Sequence, residues 1–160
     1  MFSYPQNLAI SLTEEQGMLL DVARVFVRDQ APIEAVRAQL ETETGYESRI
    51  WQSMVEMGWT GISLPDEVGG AGMGIGSAVP VFEALGGGLL GTPLLSTTIA
   101  GQLIWRAAGE KAADWLGRLC GGQIGTVALL DHADWGVPNT GLKLDETGAL
   151  SGRKHFVADA

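Results

Sequence analysis

Cysteine is almost absent: Cys120 stands alone among 160 residues. A lone thiol excludes an intramolecular disulfide framework, and with no Cys/His cluster at ligand spacing the sequence makes no case for zinc. A small buried apolar role suits it best. Positive charge is scarce as well, with 10 Lys and Arg against 19 Asp and Glu, a formal net charge of -9 and a pI near 4.5. Such a chain is badly placed to neutralise a run of phosphates, which argues against nucleic acid or an anionic membrane as its partner. Long hydrophobic runs are missing too. Gly, Arg or Asp interrupts each apolar stretch well short of a spanning length, so no transmembrane helix is expected. The start, Met1 to Gln6, has neither a positive n-region nor an apolar h-region, and a cytoplasmic location is expected. Histidine is limited to His132 and His155. No G-x-S-x-G elbow accompanies them, so a triad drawn from Asp131, His132 and a serine has no support; Asp131 and Asp134 read as solvated or backbone-capping loop residues.

Glycine, by contrast, is abundant at 23 residues, and it crowds the stretch Gly69 to Gly76. That stretch never meets the dinucleotide spacing G-x-G-x-x-G, because Ile75, Ser77 and Val79 sit where the last glycine is needed. It reads as a structural loop that exploits left-handed dihedrals and close backbone approach.

Most of the remaining chain is written in helical period. Thr13-Glu14-Glu15-Gln16 has the form of a capping box, so a helix should begin there, with Leu19, Val22, Ala23 and Phe26 on one face and Pro32 ending it. Ile33, Val36 and Leu40 mark a second short helix. Arg49 to Met57 predicts a third, with Trp51, Met54 and Val55 as core residues and Gly58 as a left-handed cap. A long loop follows. Ser77 is the expected cap of a helix over Val79 to Leu85, and Thr92-Pro93 the expected cap and first residue of the next. That next helix carries Leu94, Leu95, Ile99, Leu103 and Ile104 with no charge before Arg106, and is expected to be buried on most sides. A last helix spans about Glu110 to Leu119, with Trp115, Leu116 and Leu119 inward, and Gly121-Gly122 stops it.

Beyond Gly122 the pattern becomes extended. Ile124 to Leu130, Leu142 to Leu144 and Leu150 to Val157 predict strands, with a hairpin turn at Asp145-Glu146-Thr147-Gly148. The fold class expected is therefore α+β: an all-α helical bundle domain over 1–122, followed by the incomplete start of an antiparallel β-domain over 123–160. Three strands leave open edges that proteins normally cover, so the sheet is expected to be completed by further polypeptide.

At Met57-Gly58-Trp59-Thr60-Gly61-Ile62-Ser63-Leu64-Pro65-Asp66-Glu67-Val68-Gly69-Gly70-Ala71-Gly72 the chain resembles the acyl-CoA dehydrogenase family, whose helical domain carries G-[WL]-x-G-[IL]-x-x-P-E-x-x-G-G-x-G after its third helix. Gly109 to Gly122 is similar to the family's G-x-x-x-x-K-x-x-[WY]-L helix, displaced slightly at Lys111. Gly152-Arg153-Lys154-His155-Phe156-Val157-Ala158-Asp159-Ala160 is similar to its G-x-K-x-[WF]-[IV]-[TS]-N-A strand. These landmarks cover nearly the whole chain in family order.

The resemblance implies a helical domain, a middle β-domain and a C-terminal four-helix domain, with FAD between the last two. It implies α,β-dehydrogenation of an acyl-CoA thioester to a trans-2-enoyl-CoA, with a carboxylate in the C-terminal helices as base, so these 160 residues alone are expected to be inactive. Catalytic residues are expected elsewhere and no metal is implied. Leu130, Asp131, Phe156, Val157 and Ala158 fall where the family approaches flavin. Two of them depart from the pattern: Leu130 replaces a threonine and Ala158 replaces a hydroxyl residue, which costs about 0.5–1.5 kcal/mol for each hydrogen bond lost. Ser96 and Thr97 fall where the helical domain walls the acyl pocket. Leu89 to Thr98 looks like members that act on steroid or other bulky acyl-CoA substrates, including heteromeric ones. Implied partners are acyl-CoA, electron-transfer flavoprotein or a similar acceptor, and further acyl-CoA dehydrogenase chains in a homo- or hetero-oligomer. A flavin-poor, noncatalytic subunit that completes a partner's site is the alternative.

Overall fold

A computed structural model describes residues 11–133 and 141–160. The expectations for Met1 to Gln6 and for Asp134 lie outside the described residues. Six α-helices occur among the described residues: α1 (Glu14–Gln30), α2 (Ile33–Gln39), α3 (Ser48–Glu56), α4 (Val79–Gly87), α5 (Leu94–Ala108) and α6 (Ala113–Cys120). The capping box at the start of α1 forms as expected. The Gln16 N–H donates to Thr13 Oγ1 at 3.2 Å and the Thr13 N–H to Gln16 Oε1 at 3.1 Å, so two helix-end donors are satisfied together. Leu20, Ala23 and Val27 of α1 are buried against α4. Ile50, Trp51 and Met54 of α3 and Val81, Ala84 and Leu85 of α4 complete this core. Phe26 meets Trp59 edge to face, with centroids 5.1 Å apart, an arrangement aromatic quadrupoles favour. A smaller cluster of Leu64, Val68, Ala112 and Leu116 joins α6 to the loop before α4.

That loop carries short 3-10 turns at Trp59–Gly61, Asp66–Val68 and Ile75–Ser77, and it folds back on itself. The N–H groups of Gly70, Ala71, Gly72 and Met73 donate to the carbonyls of Pro65, Gly61, Leu64 and Ile62. A phosphate cradle needs those N–H groups pointing outward, so the loop is structural, as its spacing indicates. At Gly70 a Cβ would lie 2.1 Å from the Leu64 carbonyl oxygen, which explains the residue without any ligand. Thr60 Oγ1 then donates to the Cys120 carbonyl at 2.7 Å and ties the loop to the end of α6.

Several expectations are corrected. Ser77 does not cap α4; its hydroxyl donates to the Met73 carbonyl at 3.0 Å from within the preceding 3-10 turn. Helix α5 begins at Leu94, with Pro93 at the cap position and no side-chain cap bond. It is not buried on most sides. Leu95, Ile99 and Leu103 lie exposed along one face, because their four-residue spacing aligns them away from Leu94, Thr97 and Gly101. Val22 is exposed on α1, and α2 buries nothing, with Leu40 80% exposed. The final helix splits into a 3-10 turn, Gly109–Ala112, and α6. Trp115 points outward, 56% exposed, with the Arg118 guanidinium 4.9 Å from its ring centre.

The tail after Gly122 is extended, but the described residues form isolated antiparallel bridges, Leu130 with His155 and Leu144 with Leu150, in place of the expected strands. A ladder needs consecutive paired residues, and here each pairing stops after one. The expected hairpin turn is present. Asp145 Oδ1 accepts from the Thr147 N–H at 2.8 Å, the Thr147 hydroxyl at 2.6 Å and the Ala149 N–H at 2.9 Å. The described structure is thus a helical domain with an extended tail.

Candidate functional site

Two hydroxyls draw the tail onto the first half of α5, and a third ties two parts of the tail together. Thr97 is 1% exposed, and its Oγ1 accepts from the Gly125 N–H at 3.2 Å and donates to the Gly125 carbonyl at 3.4 Å. Thr126 Oγ1 donates to the Ala158 carbonyl at 2.5 Å, and Ser96 Oγ donates to Asp159 Oδ2 at 2.5 Å. The two residues predicted to wall an acyl pocket are therefore joined, through 125–126 and 158–159, to the segment predicted to face flavin. The helix places Ser96 and Thr97 on adjacent faces, so one hydroxyl reaches outward to Asp159 while the other is buried under Gly125. A pocket of about 230 Å³ opens beside this junction, bordered by Tyr46, Pro93, Ile124 and Asp159. Another cavity, about 470 Å³, lies toward the other end of α5 against Gln102, Trp105 and Arg106, and none of the predicted site residues lines it.

Farther along the tail, the His155 N–H donates to the Leu130 carbonyl at 2.8 Å, which sets Leu130 and Asp131 alongside 154–156. Asp131 does not present a bare carboxylate. One oxygen lies 2.5 Å from Lys154 Nζ and the other accepts the Gly141 N–H at 2.8 Å. The Lys154 hydrogen bond first, and the Gly141 N–H second, hold the Asp131 carboxyl below the usual carboxylate range. Phe156 is 63% exposed, its ring 6.4 Å from that of His155, and its φ of 51° is left-handed; Asp159 has φ 54°. Non-glycine residues in this region cost of order 1–3 kcal/mol and cluster where function demands them.

Residues 13–123 match the family profile described as acyl-CoA dehydrogenase, N-terminal domain. This chain belongs to the acyl-CoA dehydrogenase family. The acyl-CoA dehydrogenase IpdE2 of Mycolicibacterium smegmatis is 36% identical over 119 residues, which cover 74% of this chain and 38% of that protein. Among solved structures, the Tcur3481-Tcur3483 steroid ACAD variant superposes with a TM-score of 0.76 at 28% identity, across 91% of this chain and 42% of that one. The ChsE4-ChsE5 complex from Mycobacterium tuberculosis gives 0.70 at 26% identity, across 79% and 35%. The chain thus spans less than half the length of these acyl-CoA dehydrogenase relatives.

Acyl-CoA dehydrogenases use FAD, and the residues expected to face it in this chain lie in the tail. Phe156 supplies an exposed aromatic face, Leu130 an aliphatic side chain, and 157–158 main-chain groups. Neither Leu130 nor Ala158 supplies a side-chain hydrogen bond, and both oxygens of Asp131 are engaged. The side-chain types present suit packing against a flat apolar ring more than hydrogen bonding to it. Sequence reasoning passed over Lys154, Thr126 and Asp159 as site residues. Lys154 stands at the lysine of the G-x-K pattern, which is the signal that was there to use; Thr126 sits in an apolar run that gives none. Among the described residues no three His, Cys, Asp or Glu side chains converge as metal ligands would, and no helix is long and apolar enough to cross a membrane.

Proposed function

We propose that this chain is the N-terminal part of an FAD-dependent acyl-CoA dehydrogenase that converts an acyl-CoA thioester to a trans-2-enoyl-CoA, with a domain boundary near Gly122 and the start of the β-domain beyond it. The observation that carries this reading is the Ser96 hydroxyl bonded to Asp159 at 2.5 Å, which joins the candidate acyl-pocket helix to the candidate flavin-facing tail across 63 residues. The chemistry that FAD would supply when bound is a hydride acceptor for the substrate's β-carbon. The chain's own contribution is positioning. Helix α5 would hold Ser96 and Thr97 at the acyl side, Phe156 would pack against the cofactor, and the buried body of α1, α3 and α4 would keep that arrangement rigid. The proton-abstracting carboxylate belongs, on this reading, to polypeptide outside these 160 residues, and a separate electron acceptor completes the turnover.

A second reading is favoured by a specific observation: no hydroxyl at Leu130 or Ala158, and an Asp131 carboxylate held by Lys154 and Gly141. On it, the chain belongs to the flavin-poor subunit of a heteromeric dehydrogenase; the solved relatives named as the pairs Tcur3481-Tcur3483 and ChsE4-ChsE5 support that choice. The full-length protein decides. Purified alone, yellow absorbance with acyl-CoA-dependent dye reduction supports the enzyme reading. A colourless chain that copurifies with a flavin-bearing homologue supports the subunit, and neither outcome rejects both.

A further inference from the structure

We infer that Asp131 and Lys154 form a positioning pair that fixes the register between the two edges of the flavin-facing surface, 130–131 and 155–158. The inference rests on the FAD reading above and adds Lys154, which no family landmark assigns to a role.

The ion pairs elsewhere among the described residues join side chains that are 40% to 75% exposed, whereas Asp131 and Lys154 are 11% and 12% exposed. Solvent screens the former more than the latter. The pair is also connected. Lys154 Nζ donates to the Leu129 carbonyl at 3.4 Å, Asp131 accepts from Gly141, and the His155 N–H reaches the Leu130 carbonyl between them. Residues 129 and 131 therefore both hold Lys154, while 130 between them holds His155. This matters because Leu130 and His155 form an isolated bridge. A single backbone pairing does not resist a one-residue slip, and such a slip turns every side chain to the opposite face. Leu130 would then no longer stand opposite His155, and the approach of 130–131 to 155–158 would be lost. Charge-assisted bonds on both sides of the bridge block the slip. With both carboxylate oxygens engaged, Asp131 acts on the cofactor only through this geometry.

The test uses the full-length protein, with its partner subunit where one copurifies, and the variants Asp131→Asn, Lys154→Met, Lys154→Arg and the exchanged pair Asp131→Lys with Lys154→Asp. FAD affinity is read by flavin fluorescence, the bridge by hydrogen exchange of the His155 amide, and the helical body by circular dichroism. The two neutral variants should weaken FAD binding by about fivefold or more and speed His155 exchange by a similar factor, with helical signal unchanged. Lys154→Arg should stay within that factor, and the exchanged pair should recover part of both losses. FAD affinity that moves by less than that factor, or loss of the helical signal, overturns the inference. Wild-type protein that holds no flavin overturns this inference together with the FAD reading, whereas flavin-bound wild type with unmoved variants overturns this inference alone.

Discussion

The indole N–H of Trp51 donates to the Gly122 carbonyl at 3.0 Å across 71 residues. It closes the helical body, because α3 thereby holds the point where the chain leaves α6 and becomes extended. Trp51 is 7% exposed, so the Gly122 carbonyl has little water to turn to if the donor is removed. Trp51→Phe should destabilise the protein by about 1–3 kcal/mol, the cost of a buried group left unpaired plus lost packing. Urea denaturation followed by helical circular dichroism measures it, and an unchanged midpoint would refute the role given to this bond.

The glycine loop yields a contrast between neighbours. Gly70 has no room for a Cβ beside the Leu64 carbonyl, while Gly72 faces open space but has φ 66°. Gly70→Ala should cost about 3 kcal/mol or more through backbone displacement, and Gly72→Ala about 1–2 kcal/mol from left-handed strain alone. The order of the two midpoints in thermal melts is the check.

Thr97 offers a test of the junction between α5 and the tail. Thr97→Val preserves shape but removes the hydroxyl that serves both Gly125 groups. The Gly125 N–H should then exchange faster by roughly tenfold, in line with about 1–2 kcal/mol for an orphaned donor. On the proposed enzyme reading, KM for acyl-CoA should rise more than kcat falls in the full-length protein, since Thr97 would then belong to the pocket wall and touch no reacting atom.

Acid should loosen the tail before the helices. The Asp131 carboxyl is held low by Lys154 first and Gly141 second, and that of Asp145 by the Thr147 hydroxyl first and the Ala149 and Thr147 N–H groups next. A carboxyl whose folded value is depressed adds stability above its unfolded value, and that contribution is lost as pH falls through the folded one. Both contributions are therefore whole at neutral pH and decline below about pH 4. Amide exchange of His155 and Ala149 should accelerate there while helical circular dichroism persists. Asp145→Asn should abolish the pH dependence at Ala149 and leave that at His155.

How much of this was legible in advance depended on range. Thr13 and Gln16 are three residues apart, and Asp145 and Thr147 two, so their bonds follow from local geometry and were readable. Trp115 and Leu95 were misread because an apolar residue on a helix says that some face is buried without saying how wide that face is. Ser77 had a cap's chemistry but found a closer acceptor in Met73. The extended tail was recognised from its period, yet pairing requires a neighbour, and in the described residues the neighbours meet one residue at a time.

By itself the sequence determined the helices, the closed glycine loop and the family, because caps, period and glycine spacing act over a few residues and need no partner. Only the tertiary structure decided that Thr97 seats Gly125, that Ser96 reaches Asp159, and that Lys154 takes the carboxylate for which a flavin contact had been expected. These contacts join residues 23 to 63 positions apart. A side chain's chemistry fixes what it can bond; which group stands within reach is settled when the chain packs.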